Sequence, residues 1–129
     1  MAYSSPSCSS GNGFNSIHGG GSSGAGHGGN GGSGEDQPQV GTAYGHVFQP
    51  KHFGCRGGGG GGLGGGIIHL MISGTLKVDG TISVNGASGQ QLYSGGGSGG
   101  SIWVETNLIQ GYGRFQANGG NGYVDKLNK

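Results

Sequence analysis

The chain has 129 residues, 38 of them glycine; 9% of residues are charged and the formal net charge is +1. This length predicts a single domain. The near-neutral charge excludes the basic patch that nucleic acid or acidic lipid requires, and no stretch approaches the ~20 apolar residues of a membrane helix.

High glycine with low charge usually describes a disordered chain. Here, however, the glycine concentrates in residues 19–34, 57–66 and 95–100, with patterned sequence between them. Residues 1–17 read as a serine-rich N-terminal arm. Their opening, "MAYSSPSCSS", has neither the basic start nor the apolar run of a signal peptide. The two cysteines, Cys8 and Cys55, are candidates for one disulfide in an oxidising compartment, or two thiols in a reducing one. A bridge closing that loop would stabilise by up to ~4 kcal/mol.

Residues 18–66 form a glycine-rich segment, with short strands expected around 40–48. Its glycine runs suit either flexible linkers or extended, left-handed strands with three residues per turn, packed side by side. His52 and Cys55 are spaced as H-x-x-C, but no second pair at zinc spacing follows, so no metal site is expected.

Residues 67–122 carry a repeat, and residues 123–129 a C-terminal tail. In the first copy Ile68, Leu70 and Ile72, then Leu76 and Val78, then Ile82 and Val84 alternate with other residues. The second copy repeats this with Ile102 and Val104, then Leu108 or Ile109, then Phe115 and Ala117. Period two is the signature of half-buried strands. Asn85-Gly86 and Asn118-Gly119 lie 118 − 85 = 33 residues apart, whereas Ile68 and Ile102 lie 102 − 68 = 34 apart, which puts one surplus residue near Ser73. Such a period calls for a repeat architecture, and glycine with β-branched residues disfavours helical repeats. The fold class expected is all-β: a short parallel β-solenoid of about two three-strand coils, flanked by irregular or polyglycine-II-like segments, without helix. Inward side chains would stack into a narrow apolar core. Glycine corners, Gly80 and Gly113 among them, would supply positive φ. Asn85 and Asn118 would form a corner ladder between coils, the competing reading being two Asn-Gly hairpin turns.

The succession "HGGNGG", "GTAYGHVFQPKHFGCRGGGGGGLGGGIIHL", "LKVDGTISVNGASG" and "YSGGGSGGSIWVETNLIQGYGRFQANGGNG" resembles the glycine-rich repeat segments of large extracellular or surface proteins, adhesin-like ones included. The resemblance covers roughly residues 18 to 122. It implies a β-helix-like scaffold, secreted or displayed on a cell surface, and brings no catalytic motif with it.

Chemistry-bearing residues are sparse. The acids Glu35, Asp36, Asp79, Glu105 and Asp125 do not group as the paired carboxylates of a polysaccharide-cutting enzyme. No phosphate loop follows the glycine run, since Gly-Lys-Ser/Thr is absent. No catalytic residue, metal ligand or cofactor is therefore assigned. One outward constellation stands out: His69 and Trp103, one coil apart, with Glu105 and Met71 beside them. It suits an interface anchor, a glycan platform, or a patch buried under the glycine-rich half. Two coils fall short of the three that solenoids generally need. The functional expectation is thus a non-enzymatic, self-assembling fibre or matrix subunit whose partner is itself. The alternative is a carbohydrate-binding or adhesive module, with ice binding or polysaccharide cleavage further behind. Neither nucleic-acid binding nor membrane insertion is expected.

Overall fold

The computed structural model describes Cys8 and residues 10–123. Most of the serine-rich arm (1–7 and 9) and of the tail (124–129) lies outside the described residues. The described part is all-β, with four strands and no α-helix: β1 (Ile67–Lys77), β2 (Thr81–Ser83), β3 (Ser101–Gln110) and β4 (Arg114–Gln116). They form two two-stranded sheets, β1–β3 and β2–β4, both parallel.

The two copies of the repeat thus lie side by side in register. Ile67 pairs with Ser101 and Ile72 with Thr106, an offset of 34. From Thr75↔Leu108 onward, and across Thr81↔Arg114, the offset is 33. The change falls between Ile72 and Thr75, where the surplus residue of the first copy lies. Gly74 absorbs it as a bulge with φ 145°, and Thr106 Oγ1 donates to its carbonyl at 2.7 Å. The turn between β3 and β4 uses a positive φ at Gly111 (105°). Gly80 and Gly113, expected to supply positive φ, do not; Gly113 instead sits against Val78, its N–H donating to the Val78 carbonyl at 2.7 Å.

The strand faces alternate as the period requires on β1 but not on β3, where Ile102, Trp103 and Val104 are all half-buried and residues 107–110 are all exposed. On β1, Ile68, Leu70, Ile72 and Leu76 are half-buried, while His69, Met71, Thr75 and Lys77 are exposed. The narrow apolar core does not follow, however. Apart from the two cysteines, only Val78 and Val84 are buried hydrophobic residues among the described residues. Phe115 and Ala117 are exposed, and Gln116 between them is half-buried, its Oε1 accepting from Asn85 Nδ2 at 3.4 Å.

The deepest part of the fold is backbone. Residues 94–100 are all buried. Gly95 and Ser98 donate their N–H groups to the carbonyls of Gly58 and Cys55 (2.9 and 3.0 Å), and Gly97 and Gly100 donate to Ala87 and Val84 (2.9 and 2.8 Å). Gly62 and Gly65 donate to Gly95 and Ser98 (both 2.9 Å), Ala25 to Gly96 (3.0 Å) and Gly120 to Gly97 (2.7 Å). Bonds to a given neighbour recur every third residue. Only chains without side chains approach this closely: a Cβ at Gly65 would stand 1.8 Å from the Val84 carbonyl oxygen. Close-packed, hydrogen-bonded main chain takes the place of a side-chain core.

The N-terminal half is woven into the same body. Gly13 N–H donates to Arg56 O and Ser23 N–H to Phe14 O (both 3.0 Å), so residues 10–17 are no free arm. No strand forms around 40–48. Gly41 and Tyr44 donate to Gly24 and His27, three residues apart on one segment, and Thr42 donates to Ser10; bonds at every third residue follow the spacing of the glycine weave and make no β-ladder.

Candidate functional site

β1 and β3 carry the outward constellation. Ladder pairing sets His69 opposite Trp103 and Met71 opposite Glu105. The imidazole stacks on the indole, with centroids 4.1 Å apart and planes at 9°. His69 Nε2 lies 2.9 Å from Glu105 Oε2. Lys51 Nζ lies over the indole, 5.5 Å from its centroid. Trp103 is half-buried, and its ring is engaged by His69 and Lys51 within the chain itself.

Asn85 and Asn118 are brought together, in a form the sequence did not indicate. Asn85 Oδ1 accepts from the backbone N–H of Asn118 at 2.8 Å, so the rung runs from side chain to main chain. Two more rungs span the same 33 residues: Asp79 Oδ1 accepts from Tyr112 N–H (3.3 Å), and Ser88 Oγ from Asn121 N–H (3.1 Å). Backbone bonds interleave with them, Gly86 N–H to Asn118 O and Gly89 N–H to Asn121 O, each 2.8 Å. Ser88-Gly89 and Asn121-Gly122 repeat at the spacing of the Asn-Gly pair, and reading the repeat that far would have found the third rung.

Cys8 and Cys55 form a disulfide with Cα atoms 5.4 Å apart. Aromatic residues that the sequence did not single out surround it. The Tyr44 hydroxyl donates to the Phe53 carbonyl and lies 2.8 Å from Cys55 Sγ. Burial pushes the Tyr44 phenol up, partly offset by a hydrogen bond with Ser98. His27 stacks on Tyr44 (centroids 4.5 Å) and donates from Nδ1 to Gly99 O at 2.7 Å, while His52 meets Tyr44 edge-on. His52 Nδ1 is buried without a partner.

The carboxylates are engaged separately. Asp36 accepts from Ser16 Oγ (2.9 Å), Gly20 N–H (3.0 Å) and His18 N–H (3.1 Å). Desolvation raises its pKa, but these hydrogen bonds and the nearby His18 together hold it below the ordinary carboxylate value. Asp79 pairs with Lys77 at 3.4 Å, and Glu105 with His69. Among the described residues no three His, Cys, Asp or Glu side chains group as metal ligands.

A cleft of about 690 Å³ opens between the loops 25–30 and 43–50, with Ser98–Ile102 as its floor and Ala117 and Gly119 on its far side. No Asp, Glu, Lys or Arg lines it. Comparison with protein-family models, with curated proteins and with solved structures finds no match for this chain.

Proposed function

We propose that this chain is a structural, self-assembling protein of the cell surface or extracellular matrix, whose coils are turns of a short β-solenoid flanked by polyglycine-II-like strands. It grows by adding coils of its own kind end to end. The observation that carries this reading is the complementarity of its two ends.

Between the coils, Asn85 and Ser88 offer side-chain oxygens to the N–H groups of Asn118 and Asn121, and Gly86 and Gly89 donate to the carbonyls of the same two residues. One coil further on, the same groups stand free. Among the described residues, the side-chain amides of Asn118 and Asn121 and the N–H groups of Gly119 and Gly122 have no partner. At the opposite end the N–H and C=O groups of Asn85 and Ser88 have none either. All four side-chain positions are exposed. A second copy whose first coil lies one strand spacing, ~4.8 Å, beyond the second coil of this one would therefore meet two acceptors and two donors with their counterparts. The outer edges of β1 and β3 are likewise unpaired among the described residues, which makes them templates for further parallel strands. Such a head-to-tail contact does not close on itself and gives a filament. Repetition would also set His69 of the incoming copy against Trp103, extending the ring stack. An indole already engaged by His69 and Lys51 suits this interface better than a sugar platform.

Sedimentation and negative-stain microscopy across a concentration series test the proposal. Concentration-dependent filaments are expected, insensitive to salt because few charges take part. The double variant Asn118→Ala, Asn121→Ala removes side chains without intramolecular partners, so it should keep the fold and shift assembly to higher concentration. A monomer at all concentrations, or a double variant that assembles like the parent, overturns it.

A further inference from the structure

The backbone weave around residues 95–100 is complete on five sides and open on the sixth. Direct bonds fix the order of the neighbours. Segment 62–65 adjoins 54–57 through Gly54 N–H to Gly65 O (2.8 Å) and Gly57 N–H to Gly62 O (3.1 Å). Gly58 N–H reaches Ser23 O (2.9 Å), which sets 23–25 next. On the other flank Ala87 N–H bonds Leu63 O and Gly86 N–H bonds Asn118 O (both 2.8 Å), which sets 84–87 beside 62–65 and 117–120 beyond it.

Hydrogen bonding alternates around this ring. Segment 95–100 accepts from 62–65, donates to 55–58, accepts from Ala25, and, beyond the gap, accepts from Gly120 and donates to 84–87. The missing side, between 25–27 and 117–120, should by alternation be one to which 95–100 donates. The donors are there. Gly95, Gly97, Ser98 and Gly100 are all bonded through their N–H groups, whereas Gly96 and Gly99, three residues apart and both buried, have no acceptor among the described residues. Buried amides without acceptors are rare. On this side lies the 690 Å³ cleft, with Ala25, His27, Gly99, Ile102, Ala117 and Gly119 among its lining; Gly96 is not itself in the lining, but its carbonyl accepts from the N–H of Ala25, which is. His27 marks its end. The pattern of Ala25 N–H on Gly96 O would continue with Gly28 N–H on Gly99 O, but the chain turns there, His27 N–H bonding Gly29 O at 2.9 Å, and the His27 ring serves Gly99 O instead.

We propose that this cleft binds a sixth extended strand: an uncharged, glycine-rich segment of another polypeptide, in the three-residue-per-turn conformation, whose carbonyls at positions i and i+3 accept from Gly96 and Gly99. The pitch follows from the donor spacing. The glycine requirement follows from the closeness of the weave, where a Cβ at Gly99 would stand 2.0 Å from Ala117 O. The absence of charge in the partner follows from a lining without Asp, Glu, Lys or Arg. The inference is independent of end-to-end stacking, since the cleft lies on the flank of the bundle.

The test uses the isotope-labelled Asn118→Ala, Asn121→Ala variant, in which stacking is weakened, titrated with a capped Gly-Gly-Ser-Gly-Gly-Ser-Gly-Gly peptide and followed by amide NMR. The Gly96 and Gly99 protons should move downfield and exchange more slowly with solvent. A peptide with valine at alternate positions should bind at least about tenfold more weakly, and so should the glycine peptide to an Ala117→Leu variant, whose larger side chain intrudes on the cleft. Unmoved Gly96 and Gly99 amides at saturating peptide overturn the proposal. So does an equal response in Ala117→Leu, or a response to a neutral oligosaccharide of similar size and not to the peptide.

Discussion

Replacing Gly65 by alanine tests whether packed main chain holds this fold. The added Cβ would stand 1.8 Å from Val84 O and 2.5 Å from Gly100 N. Both atoms belong to backbone that cannot rotate away, so the segments must part by more than an ångström. Three bonds meet at this point: Gly65 N–H to Ser98 O (2.9 Å), Gly54 N–H to Gly65 O (2.8 Å) and Gly100 N–H to Val84 O (2.8 Å). Each contributes about 1 kcal/mol net, and leaving buried partners unpaired costs about 1–3 kcal/mol per group. A loss of about 3–5 kcal/mol is expected, a large part of the ~5–15 kcal/mol that stabilises a typical domain. Gly66, the next residue, is the control. A Cβ there meets nothing within 4 Å, so Gly66→Ala should be neutral or stabilise by about 0.4–1 kcal/mol through the unfolded chain. Thermal unfolding followed by circular dichroism measures both. Equal melting temperatures for the two variants would refute a backbone core and return the stability to the half-buried apolar faces of β1 and β3.

Reduction, or a Cys55→Ser replacement, should lower stability by about 4 kcal/mol, the loop-closure value for a sequence separation of 47; chemical denaturation with and without reductant reads it, and coincident curves would contradict it. Acid should loosen the loop that Asp36 ties. Its folded pKa is lowered, so its contribution is present above the unfolded value near ~3.9 and is lost as pH falls through the lower folded value. Melting temperature against pH should fall more steeply for the parent than for Asp36→Asn, and parallel profiles would sink the assignment. Val47→Ser with Phe48→Ser alters side chains that are 89% and 83% exposed, so stability should stay within about 0.5 kcal/mol; a larger drop would place that loop inside the cooperative unit.

The all-β class and the pairing of residues 67–83 with 101–116 were legible because side chains at period two carry both the strand signal and its repeat. The change of offset at Ser73-Gly74 was legible as one surplus residue. The weave of glycine segments was not. A run such as Gly57–Gly62 has no side chains to mark a face, so nothing in it names Gly95 as the partner of Gly58 and Gly62. For the same reason a core of apolar stacks was expected where buried glycine stands. The positive φ at Gly111, in place of Gly113, depends on how the turn leaves β3, and glycines on either side of Tyr112 do not distinguish the two. The cluster of His27, Tyr44 and His52 around the disulfide is assembled from loops that share no pattern.

A core of main chain has a consequence for the surface. In most domains large apolar residues are committed to the interior, and changes there are felt throughout the structure. Here stability comes from glycine amides and carbonyls, and the large side chains are released: Val47, Phe48, Met71 and Tyr112 stand largely or wholly exposed. The β1–β3 edges, the unpaired amides of Asn118 and Asn121, and the N–H groups of Gly96 and Gly99 are unfinished in the same sense, each being part of a regular lattice interrupted at the boundary of the chain. A backbone lattice has no intrinsic stopping point, because every layer presents the groups that bound the one before. The proposed growth along the coil axis and the proposed docking across the glycine bundle both rest on one physical feature, main chain packed at hydrogen-bonding distance with nothing between.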